Sequence, residues 1–305
     1  MTSLTSPVPA VAGTEDLTTE QIHAILSSQT LFARRIRSIA AQKFIADALL
    51  VGRYTTSGGA ILYENGEPIE IDDDPEVVAP GGEYPRSQAQ TGPLAGAAVE
   101  NLGRDIPILD ASIKRRGIDV VNKAFNQLIN RMVRAVDSSA LGVIASKVTQ
   151  TQSSGAWSTA KNIGLSIELA KAQAEESGEG HTLDTIVLKP TQWANVMATF
   201  LDAGLLPREA ANPLITGQWP TVLDLRWLRS PHTPTAAPLI LDTTELGGMA
   251  DEKNSSPGYG DAGNGIETKT IREDKTDGYL LRARRITVPV VVDPTAGYTI
   301  TGTGL

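Results

Sequence analysis

The stretch DVVNKAFNQLINRMVRAVDSSALGVIASKV, Asp119 to Val148, constrains the fold more than any other part of the chain. Val121, Phe125, Leu128, Met132 and Val136 recur at steps of three and four, and Val120, Ile129, Val133 and Ile144 broaden them into one apolar face. At about 1.5 Å per residue this helix would exceed 40 Å, well beyond the three or four turns usual in globular proteins. A helix of that length needs a long apolar surface to lie on, so the rest of the chain must be built around it as a spine. Its bases are Lys123, Arg131, Arg134 and Lys147.

The second constraint is a segment that cannot fold alone. AILYENGEPIEIDDDPEVVAPGGEYPR, Ala60 to Arg86, carries eight carboxylates (Glu64, Glu67, Glu70, Asp72, Asp73, Asp74, Glu76 and Glu83) against one base, Arg86. The runs AILY and PIEI read as short strands, and Asn65-Gly66 between them predicts a two-residue hairpin turn, since both residue types tolerate positive φ. Pro68 lacks an N–H and restricts its strand to an edge. The DDDPEVVAPGGEYPR that follows is full of turn residues and poor in apolar ones. So long an irregular stretch in a compact domain points to a loop that is either functional or disordered. Three consecutive Asp residues on an extended chain alternate faces, which makes them poor chelators. The segment predicts an acidic arm that orders on a partner through many weak contacts in parallel.

Charge is distributed to match. Residues 1–112 hold 15 acids and 7 bases, whereas residues 113–150 hold 7 bases and 2 acids. Complementary patches of this kind pair either within the chain or across copies; candidate inter-subunit contacts on the acidic side are Glu64, Glu67, Glu70, Asp72, Asp73, Asp74 and Glu76, and on the basic side Arg115, Arg116, Arg131, Arg134, Arg282, Arg284 and Arg285. The net charge of −8 argues against a general nucleic-acid binder, which needs surplus Lys and Arg for phosphates. There is no cysteine, hence no disulfide, thiolate metal site or cysteine nucleophile. No apolar run approaches the eighteen or so residues of a membrane span, and the N-terminus lacks the marks of a secretory signal. The reading is of a soluble protein without membrane contact.

Little in the sequence suggests catalysis. His23, His181 and His232 lie far apart, in no metal-ligand spacing, and are expected to be structural or exposed. Gly258-Tyr-Gly260-Asp-Ala-Gly263 fits a phosphate-loop pattern formally but lacks a strand before it and a helix after it. No catalytic, cofactor or metal residue is assigned.

Other segments complete the order of elements. Thr18–Leu50 has helical spacing with Thr18 or Thr19 as cap, and RDIPILDASIKRRG reads as a strand and a connection. STAKNIGLSIELAKAQAEESG is a helix capped by Ser158 or Thr159 and closed by Gly178. LDTIVLKP is a buried strand, TQWANVMATFLDAG a short helix, and APLILDT a strand. NSSPGYGDAGNG, Asn254 to Gly265, reads as a loop before a β-rich end.

This order resembles that of the major capsid proteins of tailed bacteriophages, the Hong Kong 97-type fold. GRDIPILDASIKRRGIDVVNKAF resembles the family's strand-to-spine passage, DTIVLKPTQWANVM its axial strand and helix, and DGYLLRARRITVPVVVDPTAGYTI its last strands. The resemblance implies an α+β fold with an N-terminal arm over 1–50 and an extended β-hairpin loop over 51–100. It implies a peripheral domain with the spine helix over 101–153 and 266–305, and an α/β axial domain over 154–265. It implies no enzyme and no cofactor, but a structural protein whose copies, as hexamers and pentamers, form an icosahedral head shell around DNA.

The expected setting is the virion, after assembly in the host cytoplasm. Portal and decoration proteins are further partners of such shells. A separate scaffolding protein, or none, is expected because little chain precedes the arm. The arm has no lysine, as none occurs between Lys43 and Lys114, so the covalent crosslinking known in some members is not expected here. Three alternatives remain open at this level: an encapsulin-type compartment shell, an oligomeric α/β enzyme, or a peripheral virion component such as a head or tail accessory protein.

Overall fold

The computed structural model describes residues 17–28, 30–31, 33–34, 44–66, 73–88, 91–204, 223–253 and 256–305. The spine is present as helix α4, Ile118–Lys147. Val121, Phe125, Leu128, Met132, Val136 and Ile144 are all buried on the face that their spacing marked out. A shorter helix, α3 (Asp110–Arg116), precedes it where the sequence suggested only a connection. The two are separated by Gly117 at φ +61°, a backbone state that glycine reaches without steric cost.

The spine lies on a six-stranded sheet. Its strands are β1 (Gly52–Thr56), β4 (Glu100–Leu109), β9 (Gly247–Glu252), β10 (Gly260–Gly263), β11 (Ile266–Glu273) and β12 (Gly278–Val291), in the order β1-β9-β12-β11-β10 with β4 also on β12. The fourteen-residue β12 organises it, pairing antiparallel with β4, β11 and β9 along its length. Ile108, Ile266, Leu281 and Ala283 from this sheet share one core with the spine, α1 (Thr19–Ser27) and α2 (Ala46–Leu49). Thr18 caps α1 with Gln21 returning the bond, as its sequence indicated. The expected continuous helix to Leu50 is interrupted at Ser28, which is extended, and helical backbone recurs at 30–31, 33–34 and Ala46–Leu49.

A second sheet of five strands runs β5-β13-β8-β6-β7, from Thr151–Ser153, Gly297–Thr301, Leu239–Leu241, Thr185–Leu188 and Arg226–Arg229. Helices α5 (Ala160–Glu176, capped by Thr159) and α6 (Pro190–Asp202) pack with it around Trp157, Trp193, Phe200, Trp227 and Tyr298. The division of the chain between the two sheets departs from the expected segments. Strands β9 and β10, from the 154–265 segment, are bonded in the first sheet, and β13, from 266–305, closes the second. Strand β1, placed with the extended loop, pairs parallel with β9. Pairing between strands distant in sequence sets this division: β12 bonds β9, β9 in turn bonds β1, and β13 bonds β5 and β8.

The two Asn-Gly pairs exchange their expected roles. Strand β2 (Ala60–Glu64) pairs antiparallel with β3 (Leu94–Ala98), not with the PIEI run beyond Asn65-Gly66. PIEI itself, with Pro68, lies outside the described residues. Gly66 has φ +63° but Asn65 is not at positive φ, so the pair is not a type I′ turn. It instead seats the loop: Asn65 N donates to Pro93 O at 3.1 Å and Gly66 N to Val292 O at 2.8 Å. Asn264-Gly265, within the segment read as a loop, has φ +51° and +70° and joins β10 to β11 in a hairpin.

Candidate assembly interface

The arm begins as a two-stranded ribbon held at its base. Ile61, Tyr63, Ala97 and Val99 face Ala250, Val288 and Val290 of the first sheet, together with Tyr54 and Val292. The other ribbon face shows Leu62 and Leu94 to solvent, 71% and 70% exposed. Beyond it, residues 73–88 are extended and almost wholly exposed, with no strand or helix. Their internal contacts are few: Ser87 Oγ donates to Asp73 at 2.9 Å, Gly82 N to Ala79 O at 2.8 Å, and Arg86 lies 3.6 Å from Glu83. Val77 and Tyr84 are exposed apolar side chains among these carboxylates. Asp73, Asp74, Glu76 and Glu83 therefore face solvent, as does Glu64; Glu67, Glu70 and Asp72 lie outside the described residues.

The basic residues divide into two groups. Arg115 and Arg116 at the end of α3, and Arg131 and Arg134 along the spine, are exposed and form no salt bridge among the described residues. The three arginines of β12 are engaged within the subunit. Arg282 grips Asp105 of β4 bidentately at 2.7 and 2.6 Å, and these hydrogen bonds hold the Asp105 carboxyl below its usual range. Arg284 bonds Glu267 of β11 at 2.8 Å and stacks 3.7 Å from the centroid of the Tyr259 ring. Arg285 is fully buried and bonds both Asp47 and Asp251, at 2.8–3.2 Å. Of the seven basic candidates, Arg285 is thus withdrawn from any outside partner by burial and by two carboxylates. Each β12 arginine faces a carboxylate supplied by another element, which sequence spacing does not reveal.

This buried charge cluster anchors the root of the arm. Asp47 lies on α2, immediately before β1, and also takes Arg53 Nη1 at 2.7 Å. Asp137 of the spine accepts Ile45 N at 3.1 Å and Ala46 N at 3.0 Å, capping α2 from another helix. Burial raises Asp137 to about 6, against these two backbone bonds that lower it. A fully satisfied network of this kind fixes one arrangement of spine, α2 and sheet.

No catalytic constellation emerges among the described residues. His23 Nδ1 is 3.2 Å from the Tyr279 hydroxyl. His232 is held below its usual value by partial burial and by Arg134. His181 is buried beside Glu179, Asp293 and Thr295. Gly260 and Gly263 belong to a β-hairpin, and no helix N-terminus follows them. No helix among the described residues is long and apolar enough to cross a membrane.

Comparison with known proteins gives the same direction. A family model described as phage capsid protein matches residues 95–300. The capsid structure of the cyanophage P-SCSP1u superposes with TM-score 0.58 at 12% identity, covering 81% of this chain and 85% of that one. A Mycobacterium phage Adephagia structure gives TM-score 0.56 at 13% identity, over 85% and 90%. A virus-like particle from Pyrococcus furiosus gives TM-score 0.56 at 9% identity, over 88% and 97%. No curated protein matches the sequence. With the spine, the two sheets and the extended loop, these likenesses identify the fold as the Hong Kong 97 type.

Proposed function

The chain belongs to the phage capsid protein family, a structural component of the virion, and from that premise we propose how its copies join. The arm of one subunit lies across its neighbour within hexamers and pentamers, and these close into an icosahedral head shell around DNA. One observation carries this reading: residues 73–88 expose four carboxylates, Val77 and Tyr84, and among the described residues their few polar contacts stay within the segment itself. A ribbon anchored at its base and unsupported at its end needs a second surface to become ordered.

The acidic residues Glu64, Asp73, Asp74 and Glu76, with Glu67, Glu70 and Asp72, meet bases that form no salt bridge among the described residues. Arg115 and Arg116 are favoured, with Arg131 and Arg134 next. Arg282 and Arg284 contribute less, since each already has a carboxylate of its own. The six-stranded sheet and spine form the peripheral domain of the shell; the five-stranded sheet, α5 and α6 form the axial one. A net charge of −8 suits a wall around DNA that must be packed and released. Scaffolding, portal and decoration proteins are the further partners of this reading, with assembly in the host cytoplasm.

Purified protein, alone and with the products of neighbouring genes, examined by negative-stain microscopy and sedimentation, tests the proposal. Uniform closed particles tens of nanometres across are expected. A small oligomer that persists in every combination would sink it. Nucleic acid recovered from particles made during infection separates a genome-filled head from a compartment shell.

A further inference from the structure

Glu179, His181 and Asp293 bring one imidazole nitrogen and two carboxylate oxygens within 4.8 Å of one another. The first two come from the loop between α5 and β6, and the third from the turn between β12 and β13. His181 Nε2 lies 3.1 Å from Glu179 Oε2, 3.3 Å from Asp293 Oδ2 and 3.0 Å from Thr295 Oγ1. The histidine side chain is 1% exposed, while those of Glu179 and Asp293 are 42% and 19% exposed, which leaves a path from solvent on the glutamate side.

One ring nitrogen therefore faces three oxygens. As an N–H donor it serves one of them well, and two carboxylates remain crowded around it. Neither carboxylate has a Lys or Arg salt bridge among the described residues. A cation at the centre removes that repulsion. The spacing approaches what one needs: ligands about 2.0–2.2 Å from a tetrahedral zinc ion stand roughly 3.3–3.6 Å apart. The two distances from His181 Nε2 already lie near that range, and the two carboxylate oxygens, within 4.8 Å of each other, would draw together around the ion. Thr295 prepares the aspartate, its N and Oγ1 donating to Asp293 Oδ1 at 2.8 and 2.6 Å and leaving Oδ2 free to ligate.

We propose that Glu179, His181 and Asp293 form a binding site for a divalent transition-metal ion, zinc first, with one ligand atom from each residue and water in the open position. The imidazole selects against Mg²⁺ and Ca²⁺, which take oxygen ligands. With Nε2 on the metal the ring proton sits on Nδ1, which has no protein partner here and calls for a water. The ion would clamp the loop after α5 to the turn after β12. That turn begins at Val292, whose carbonyl holds Gly66 at the base of the arm. The proposal does not depend on the shell reading, since binding is measured on the folded chain in any state of assembly.

Protein stripped with a chelator is titrated with ZnCl₂ and with MgCl₂ by calorimetry. One zinc equivalent per chain and no saturable magnesium binding are expected. Glu179→Gln and His181→Gln should each weaken zinc at least tenfold, while His23→Gln and His232→Gln leave it unchanged. Glu179→Gln alters a half-exposed side chain, and its melting temperature in chelator should equal that of the unaltered protein, which separates loss of the site from loss of the fold. Less than one equivalent of zinc, or undiminished affinity in Glu179→Gln, would overturn the proposal.

Discussion

The spine and the arm are two long segments of one chain with opposite relations to it. The spine buries twelve of its thirty residues against the sheet, α1, α2 and α3, and every apolar position of its inward face is occupied within the subunit. The arm from 73 to 88 buries none, and Val77 and Tyr84 are exposed like its acidic side chains. The first supplies subunit stability, and the second is the segment we propose for contacts between subunits. Between them stands the cluster of Asp137, Asp47, Arg285 and Asp251, which ties the spine to the arm's root. Substitutions in the spine or the cluster should thus be read in folding, and substitutions in the arm in assembly.

The largest effect is expected at the junction. Arg285→Met leaves Asp47 and Asp251 without their shared partner in a buried place and should cost about 3–5 kcal/mol of folding stability, read by chemical denaturation. A cost below about 1 kcal/mol would mean that the root of the arm does not depend on this pairing. Leu128→Ala, in the middle of the spine, should cost about 2–5 kcal/mol in the same assay.

Asp137→Asn sharpens the comparison through pH. Burial holds the folded carboxyl at about 6, above the ordinary aspartate value, so its protonated form stabilises the fold below about pH 4 and that contribution is lost as pH rises through 6. The variant keeps an acceptor for Ile45 N and Ala46 N but has no proton to lose. Its stability relative to the unaltered protein should therefore rise by about 2–3 kcal/mol between pH 4 and pH 7. Equal pH dependence in the two proteins would remove Asp137 as the cause.

The smallest effect on folding is expected in the arm. Replacing Asp72, Asp73 and Asp74 together by Lys should move subunit stability by no more than about 0.5 kcal/mol, while impairing closed-shell formation or its salt resistance. Adding Arg115→Glu and Arg116→Glu should restore part of the assembly if those residues receive the arm. Particles that keep their thermal and salt resistance after the triple reversal would reduce the acidity to a solubility feature.

Several of these features were legible before any coordinates. The steps of three and four from Val121 to Val136 gave the spine, because a helix this amphipathic has one way to bury its stripe. Thr18 and Thr159 were readable as caps, and the poverty of apolar residues after Asp74 was readable as an arm. The two Asn-Gly pairs mark the limit. Asn264-Gly265 makes the hairpin because β10 and β11 are neighbours with matching register, whereas the partner of β2 lies thirty residues away at Leu94–Ala98. A dipeptide permits a turn; which strand comes to pair decides whether the turn forms. The arginines of β12 show the same limit, since their carboxylates arrive from β4, β11, α2 and β9. The grouping of His181 with Asp293 was equally invisible, because loops from two different segments meet there.

What the sequence alone determined is what period and composition control: a long spine helix, its buried face, the capped helices and an acidic segment without a core. Those properties depend on residues within a few turns or a few steps of one another. The tertiary structure decided which strands share β12, which arginines are consumed inside the subunit, where the arm is rooted and which histidine sits between two carboxylates. Each of these rests on contacts between residues far apart along the chain, and such contacts are fixed only when the whole sheet closes around its longest strand.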